Sequence, residues 1–385
     1  MPAISDAYIV AAVRTPVGKR GGGLANVHPA DLAAHVITAL LDRAGVDGEH
    51  VDDVILGCVS QVGAQASNIA RTAVLSAGLP ESVPATTLDR QCGSSQQAVH
   101  FAAQAVLSGT QDIVVAGGVE VMSLVPIASA TKVGAAAGLG RPRAGERWRE
   151  RYGDQEISQF RGAELIAQKW GLSRPRLEEY ALESHRRACA AVEAGLFDDE
   201  TVAVAGVRCD EGPRPDTSAA RLASLQPLSG GGILTAALAS QISDGAAALL
   251  VASDTAVRRH GLTPLARVRA MAVVGSDPVM MLTGPIPATA RILTDTGLTL
   301  DDIGVYEVNE AFAPVVLAWQ AETGADLRRT NPLGGAIALG HPLGATGARL
   351  MTTMLHHMRR NGIRFGLQTM CEGGGMANAT LLERV

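Results

Sequence analysis

The sequence predicts an α/β protein built from two copies of one α/β unit, with a further segment inserted between them. Short β-rich runs alternate with longer helical patterns in the first and the last third of the chain. In both thirds a long helical pattern is followed by a strand-like run and a Gly-Gly turn, at residues 111–118 and 366–374. Between the two copies strand-like runs become scarce. The alternation predicts parallel strands joined by helical crossovers.

The first third is predicted to contain four strands and three helices. The strands are the β-rich runs 7–13, 51–59, 85–88 and 112–117, and the last of them is expected to be buried. The helical patterns between them cover residues 29–44, 67–77 and 93–107.

The last third repeats this rhythm. Its predicted strands are 265–274, 303–308, 366–371 and 376–383, and its predicted helices are 285–296, 311–322 and 345–361.

The inserted segment has a different character. It is rich in charge, Pro, Gly and Ala, and it contains helical patterns at 162–170 and 176–194, the second with Ser173 as its expected N-cap. We therefore expect a first half at 1–120, completed by about 241–262, a loop or cap domain at 121–240, and a second half at 263–385. Such an insertion usually shapes a ligand site above a rigid core.

Composition and charge exclude several classes of protein. Hydrophobic residues make up 47% of the 385 residues and aromatic residues 3%, so Ala, Val, Leu and Ile must form the core. A chain of this length suits two or three domains. The net charge of −5 argues against general binding to nucleic acid or to an anionic membrane.

The sequence also bears on location and metal content. Neither a signal peptide nor a membrane span is predicted, because no basic segment leads into an apolar one at the N-terminus and no apolar run approaches 18 residues. The five cysteines are widely spread and lack a C-x-x-C pair, which opposes a disulfide framework and a zinc site. A cytoplasmic protein without a metal is expected. The arginine-rich run from Arg141 to Arg151 suits either a solvated face or a phosphate site.

Three short segments beside glycines carry residues suited to acyl chemistry. They are Gln91-Cys92-Gly93-Ser94-Ser95, Gly340-His341-Pro342-Leu343-Gly344 and Cys371-Glu372-Gly373-Gly374-Gly375. A thiolate can hold an acyl group as a thioester, and a second thiol can move a proton at carbon.

Cys92 and His341 lie in corresponding turns of the two copies. Cys92 is predicted to open the helix 93–107, where free N–H groups and the helix dipole favour a thiolate. The alternative is a buried, unreactive side chain, which is what we expect of Cys58. His341 precedes the predicted helix 345–361, so a pseudo-twofold relation would bring both turns to a common centre.

Two further strand ends carry candidate residues. Cys371 ends a predicted strand before three glycines, whose N–H groups can bind an oxyanion; a strand-end Cys before flexible glycines is the alternative. Asn309, in Asn309-Glu310-Ala311-Phe312, is predicted either to cap the following helix or to hold a water as an oxyanion donor.

Together these segments resemble the motifs of the thiolase family, in the family's order and spacing, over nearly the whole chain. The resemblance implies duplicated βαβαβαββ halves that form a five-layer αβαβα core, with an inserted loop domain. It implies cleavage of a 3-ketoacyl-CoA to acetyl-CoA and a shortened acyl-CoA, reversible and with ping-pong kinetics. It also implies coenzyme A and acyl-CoA as substrates, no tightly bound cofactor, and a homodimer or homotetramer.

The resemblance assigns a role to each matching residue. Cys92 is implied to be the nucleophile, His341 the base that accepts its proton, and Cys371 the acid or base at carbon. Asn309 is implied to hold the water of a first oxyanion hole, and the N–H groups of Cys92 and Gly373 to form a second.

The resemblance also implies contacts to the substrate. Ser240 matches a residue that contacts pantetheine, and Arg214 matches an arginine at the nucleotide end of coenzyme A. Met281 and Phe312 match apolar residues that line the acyl pocket.

The chain departs from the family pattern at positions close to the substrate. Asp89 and Leu238 replace the usual Asn, Leu282 replaces the usual Gly, and residues 158–161 replace a His-Met pair. These departures argue against plain acetoacetyl-CoA as substrate. The segments 89–97 and 152–162 resemble those of actinobacterial thiolases associated with sterol and steroid breakdown, and substrates of fatty-acid or steroid catabolism are expected.

Other functions stay open or are disfavoured. A ketosynthase of the same superfamily has a second His where this chain has Cys371. A biosynthetic acetoacetyl-CoA thiolase and a catalytically silent lipid-carrier relative remain alternatives. A Rossmann dehydrogenase is set aside, because Gly21-Gly22-Gly23 lacks the G-x-G-x-x-G spacing.

Overall fold

The computed structural model describes residues 6–385 and contains ten strands and thirteen α-helices within that range. The strands are β1 (Ala7–Arg14), β2 (Gly18–Lys19), β3 (Asp53–Gly57), β4 (Ala85–Leu88), β5 (Ile113–Val121), β6 (Ser243–Ser253), β7 (Ala266–Gly275), β8 (Val305–Val308), β9 (Phe365–Glu372) and β10 (Met376–Arg384). The helices are α1 (Pro29–Ala44), α2 (Ile69–Ser76), α3 (Ser94–Leu107), α4 (Ser129–Ala136), α5 (Glu146–Tyr152), α6 (Gln159–Lys169), α7 (Arg174–Glu193), α8 (Ala219–Ala223), α9 (Asp254–His260), α10 (Pro285–Thr296), α11 (Ala313–Thr323), α12 (Ala336–Leu339) and α13 (Thr346–Arg360).

The strands form one sheet made of two half-sheets. The order is β4-β3-β5-β6-β1-β7-β10-β9-β8, with β2 beside β6. The first five strands of this order make one half-sheet and the last four make the other. The halves join where β1 meets β7, through the pairs Tyr8–Arg267 and Ile9–Ala266. The predicted duplication is therefore present, but the two copies share a continuous sheet.

The prediction of parallel strands is right for only part of the sheet. β3 is parallel to β4 and β5, and β8 is parallel to β9. The remaining main pairs, β5–β6, β6–β1, β7–β10 and β10–β9, are antiparallel. The last pair needs no crossover helix because a short turn joins its strands, with Gly374 and Gly375 at φ of 89° and 79°, values that favour glycine.

Helices and half-sheets alternate in five layers, as the predicted fold class requires. One hydrophobic cluster packs α1 and α2 against the first half-sheet, through residues such as Leu32, Val36 and Val115. A second cluster places α3 and α13 between the two halves. A third packs α10 and α11 against the outer face of the second half-sheet. α13 is buried along most of its length, and α3 buries the face that packs against it, while Phe101 and Gln104 of α3 are exposed.

The inserted segment is helical. Between β5 and β6, all of which lies within the described residues, the chain forms α4 to α8 and no strand. Ser173 caps α7 by accepting a hydrogen bond from the Arg176 N–H, as predicted from the sequence. α4 and α5 contain no buried residue, whereas α6 and α7 bury one face each. The segment is thus attached through α6 and α7 and through the ion pairs of Glu200 and Asp210 with Arg14 of β1, whereas α4 and α5 lie on the surface.

The contact between α3 and α13 leads to a prediction about stability. A Cβ on Gly347 would overlap the backbone nitrogen of Gln96, so Gly347→Ala forces the two helices apart. We expect it to lower the free energy of unfolding by about 1–3 kcal/mol. Gly134→Ala on α4 is the matched control, because its Cβ would meet no described atom within 4 Å. Equal melting temperatures for the two variants would contradict close packing of α3 against α13.

Candidate active site

A cavity of about 260 Å³ opens beside Cys92. Its wall draws on all four segments singled out in the sequence: Cys92 before α3, Gly373 after β9, Leu343 before α13 and Ala311 before α11. His341 and Asn309 each lie two residues before one of these lining residues. The turns meet because α3 and α13 pack together, with the Ala348 N–H donating to Ser95 Oγ at 2.9 Å. The common centre expected from the duplication is present.

The hydrogen bonds of His341 determine which ring nitrogen can act as a base. Nδ1 lies 2.6 Å from Thr346 Oγ1, and that hydroxyl donates its proton to the Pro342 carbonyl at 2.8 Å. The Nδ1–H must therefore donate to Thr346, which leaves the lone pair on Nε2. Burial lowers the pKa of His341 to about 3, and the charge of Arg349 acts in the same direction. The imidazole is neutral at neutral pH and can accept a proton at Nε2.

Asn309 faces this basic nitrogen. Its Nδ2 lies 3.4 Å from His341 Nε2, and its Oδ1 is buried without a hydrogen-bond partner among residues 6–385. The capping alternative is wrong: α11 begins at Ala313, and Phe312 holds the N-cap position. The strand β8 ends one residue earlier than Asn309, so the amide is free to point at the imidazole. An unpaired buried amide oxygen beside it suits a bound water.

Cys92 is a thiol in the resting protein, contrary to the expectation of a thiolate favoured by the helix. α3 begins only at Ser94, so Cys92 precedes its first turn. Burial raises the pKa of Cys92 to about 12, and the charge of Glu372 adds to this, whereas the N–H of Gly373 opposes it. The cost of desolvating a charge outweighs the two backbone hydrogen bonds, from the N–H groups of Gly373 and of Cys92 itself, that favour the thiolate. A base is therefore needed to remove the proton.

Cys371 is fully buried at the end of β9. Burial raises its pKa well above the usual value of a thiol, and the charges of Cys92 and Glu372 act in the same direction. A thiolate at Cys92 therefore opposes ionisation of Cys371, and an acyl group on Cys92 would remove that repulsion. The arrangement can carry an acyl group on one sulfur and a proton on the other.

Two buried carboxylates that sequence reasoning missed hold these turns in place. Glu120 accepts the N–H groups of Val59, Ser60 and Gly344, which ties the His341 turn to the first half. Glu310 accepts from Tyr180 and Ser184 of α7 and from the Ile337 N–H. The sequence could have marked Glu120 as functional, because it is a carboxylate inside the apolar run 113–121. Glu310 could have been marked by its position directly after Asn309 in the motif Asn309-Glu310-Ala311-Phe312.

The residues predicted to contact coenzyme A lie on one side of the site. The Ser240 N–H donates to the Ala311 carbonyl at 3.0 Å, beside the cavity wall. Arg214 is exposed, and its Nη2 donates to Gln241 Oε1 at 3.4 Å. Gln241 connects the two residues and also donates to the carbonyls of Ile337 and Ala338. Ser240 is thus hydrogen-bonded to a residue of the cavity wall, and Arg214 lies further out at the surface, joined to it through Gln241.

The predicted acyl-pocket residues lie in the core. Met281 and Phe312 are buried in the hydrophobic cluster under α6, and the Phe312 ring meets the Phe160 ring edge-on at 5.5 Å. Their chain neighbours Leu282 and Ala311 line the cavity instead. The opposite wall comes from the cap and is lined by Ile127, Ala128, Ala130, Thr131 and Gln159.

The remaining features of residues 6–385 bear on metal binding, on membrane spans and on the arginine run. No group of three or more His, Cys, Asp or Glu side chains in this range is arranged to hold a metal ion. None of its helices combines the length and apolar character needed to cross a membrane. The arginine run falls mostly on the exposed helix α5, where the Arg143 guanidinium lies over the Trp148 ring at 5.3 Å.

Comparisons with known proteins agree with this geometry. The family model "Thiolase, N-terminal domain" matches residues 7–255, and "Thiolase, C-terminal domain" matches residues 262–384. The steroid 3-ketoacyl-CoA thiolase FadA6 of Mycobacterium tuberculosis is 59% identical, over 99% of this chain and 95% of the relative. The beta-ketoadipyl-CoA thiolase of Pseudomonas aeruginosa is 44% identical, over 99% of both chains. The crystal structure of the Bacillus anthracis acetyl-CoA acetyltransferase superposes with a TM-score of 0.91 at 37% identity, over 100% of both chains.

Proposed function

The chain belongs to the thiolase family, and on this premise we propose that it cleaves 3-ketoacyl-CoA esters with a bulky, ring-bearing acyl group. It is an acyltransferase: thiolysis by coenzyme A yields acetyl-CoA and an acyl-CoA two carbons shorter. The observation that carries the mechanism is the meeting of the catalytic turns at one cavity, where Cys92 and Gly373 line the wall and the buried Cys371 lies two residues before Gly373.

In the first half-reaction His341 Nε2 accepts the proton of Cys92, and the thiolate attacks the 3-keto carbon. The water held by Asn309 and the N–H groups of Cys92 and Gly373 stabilise the charge that develops on oxygen. The bond between C2 and C3 then breaks. Cys371 donates its proton to the departing C2 carbanion, which leaves as acetyl-CoA, and the acyl group stays on Cys92 as a thioester.

In the second half-reaction coenzyme A attacks the thioester. The Cys371 thiolate accepts the proton of the incoming thiol, and the sulfur of Cys92 leaves and recovers its proton from His341. Both thiols and the imidazole return to their starting states, so protons balance over the cycle. A neutral His341 suits this exchange, because its Nε2 has a free lone pair that can accept the proton of Cys92. The imidazolium that results is buried beside the new thiolate, and the two charges stabilise each other.

We assign coenzyme A binding to the cap, residues 121–240, with Ser240 and Arg214 as contact residues. Ser240 is half-buried next to the cavity wall, which suits a hydroxyl contact to pantetheine. Arg214 is exposed at the outer end, where a guanidinium can pair with a phosphate. The catalytic turns would then come from the two halves, which cover residues 1–120 with 241–262 and residues 263–385.

The cavity wall supports a bulky acyl group. On the cap side three of its residues, Ala128, Ala130 and Thr131, have small side chains, and they belong to or adjoin α4, which has no buried residue. A wall attached so loosely can move aside for a ring system. The FadA6 relative is named for steroid 3-ketoacyl-CoA substrates, and we extend that substrate class to this chain.

Two experiments test the proposal. Intact-protein and peptide mass spectrometry after incubation with acetyl-CoA should find an acetyl group on Cys92; an unmodified Cys92 would refute thiolase activity and favour a silent lipid carrier. Thiolysis rates across 3-ketoacyl-CoA esters, from C4 to steroid side chains, test the substrate. We expect kcat/KM for ring-bearing esters to exceed that for acetoacetyl-CoA by roughly 10–200-fold. The reverse order would favour a biosynthetic acetoacetyl-CoA thiolase.

The tautomer of His341 gives a prediction about Thr346. Thr346→Val removes the acceptor of the Nδ1–H, so the lone pair is no longer held on Nε2. We expect acylation of Cys92 to slow by roughly 10–100-fold, part of what a positioned base contributes. Thr352→Val on the same helix is the matched control, since Thr352 Oγ1 is buried with no hydrogen-bond partner in the described chain. Stopped-flow acylation with equal rates for the two variants would contradict this role.

We further propose a homodimer or homotetramer located in the cytoplasm. β4, the edge strand of the first half-sheet, is only partly buried and leads directly into the Cys92 turn. An open edge of this kind is a ready surface for a second copy. Sedimentation equilibrium distinguishes dimer from tetramer, and a monomer at micromolar concentration would contradict the proposal.

A further inference from the structure

The carboxyl group of Glu372 is buried, directly follows Cys371 in the chain and acts on both thiols, yet no step of the proposed mechanism uses it. Its relative exposure is 0%, and neither carboxylate oxygen makes a hydrogen bond of good geometry within residues 6–385, although the backbone N–H of Asn378 lies near enough to lower its pKa. A buried ionised carboxylate normally requires such partners. Glu372 therefore either stays protonated or acts electrostatically on its neighbours.

The surroundings of Glu372 link it to the nucleophile. Its Oε1 occupies the place of the missing Cβ of Gly93, the residue after Cys92 and the N-cap of α3. From the other side, Arg90 Nη1 lies 3.8 Å from the sulfur of Met376, which pairs with Glu372 across the β9–β10 ladder. Arg90 Nε is also buried and unpaired in the described structure. Arg90 and Glu372 thus approach one another without forming an ion pair.

The titratable and charged groups that face Glu372 come from two elements. Arg90 and Cys92 lie in the loop before α3, and Cys371 lies on the same strand as Glu372. Asp89, in the same loop, also acts on Cys92 but more weakly than Glu372. An ionised Glu372 raises the pKa of both thiols, so it would hinder the acylation of Cys92 and weaken Cys371 as an acid.

We propose that Glu372 is a positioning residue that controls thiol acidity: it stays a neutral acid while Cys92 and Cys371 exchange protons, and its ionisation in alkaline solution suppresses both thiolates. The proposal rests on the roles proposed above for the two thiols. Burial raises the pKa of Glu372 to about 8, against the opposing charge of Arg90, which agrees with a protonated group at neutral pH.

The sign of the effect follows from charge. Below about pH 8 the neutral acid leaves thiolate formation unopposed, and above it the carboxylate adds a negative charge beside each sulfur. Removing the carboxylate must then lower the pH at which Cys92 ionises. Glu372→Gln keeps the shape and cannot ionise. Glu372→Met removes the polar atoms altogether, and replacing an unpaired buried charge by an apolar group is compatible with folding.

The test is the pH dependence of Cys92 alkylation by iodoacetamide, followed by mass spectrometry of the Cys92 peptide in the full-length protein. We expect both Glu372→Gln and Glu372→Met to lower the midpoint by roughly one to two pH units relative to the natural protein. Asp89→Asn is the matched control, because it removes a nearby carboxylate whose influence on Cys92 is weaker, so its shift should be smaller.

Each outcome has a definite meaning. A downward shift in both Glu372 variants supports control by charge, which a merely structural role would not produce. An unchanged midpoint in either variant, or a shift no larger than that of Asp89→Asn, overturns the proposal. Alkylation requires no turnover, so this result is independent of the acetyl-CoA experiment. Failure of acetyl-CoA to acetylate Cys92 would refute the thiolase function. It would not change the alkylation result, which tests the effect of Glu372 on the acidity of Cys92.

Discussion

Cys92→Ser is expected to lower the rate of thiolysis by at least about 10³-fold, because both half-reactions pass through the sulfur of Cys92. A serine hydroxyl is a far weaker acid than even the raised thiol, and the neutral imidazole of His341 cannot ionise it to a useful degree. The measurement is steady-state thiolysis, followed through the loss of the 3-ketoacyl-CoA absorbance, together with mass spectrometry for a covalent acyl group.

Cys209→Ser is the control for this experiment. Cys209 is exposed and lies outside the cavity, so the same exchange of sulfur for oxygen should leave the rate unchanged. A Cys92→Ser protein that keeps more than a few per cent of the activity, or that carries an acyl group on another residue, would contradict the assignment of the nucleophile.

Cys371→Ala is expected to separate the two kinds of chemistry. The variant should still accept an acetyl group on Cys92, yet it should lose carbon–carbon cleavage and condensation by roughly 10²–10⁴-fold, the contribution of a positioned acid or base. In acetylation Cys371 only protonates the departing coenzyme A thiolate, which is a good leaving group without help, so acetylation should slow far less than carbon–carbon cleavage. The measurements are acetylation of Cys92 by mass spectrometry and deuterium incorporation at the acetyl methyl group.

The two steps must respond differently for the assignment to hold. Equal loss of acetylation and of methyl exchange would mean that Cys371 does not act as a separate acid and base. The substitution deletes one buried sulfur, so a modest loss of stability is expected, and a thermal melt shows whether the variant is folded at the assay temperature.

Much of the fold was predictable because it depends on local patterns. α1 has the predicted bounds, and Ser173 starts α7 as a polar cap before a helical pattern. Such signals act over a few residues, so they survive in any tertiary context. Strand pairing was predicted less well: β6 follows the inserted cap and enters the sheet antiparallel between β1 and β5. No local pattern marks a strand's partner.

The candidate site shows the same division. The chemistry-bearing residues were visible as Cys and His beside glycines, because close approach of backbone to a reacting group demands small neighbours. Their electrostatics were not visible. The helix argument favoured a Cys92 thiolate, whereas burial keeps it a thiol. Met281 and Phe312 were matched to the acyl pocket, but the structure turns their neighbours Leu282 and Ala311 toward the cavity.

The sequence by itself determined the α/β class, the duplicated order of elements and the identity of the reactive groups, because these follow from periodicity, caps and residue chemistry. Only the tertiary structure decided which groups meet and in what state of protonation. Packing of α3 against α13 brings Cys92 and His341 to one centre. The hydrogen bonds from His341 to Thr346 and from Thr346 to the Pro342 carbonyl leave the lone pair of the imidazole on Nε2. The distances between charged groups and the dielectric around them depend on residues far apart in the chain, so they cannot be read from one segment alone.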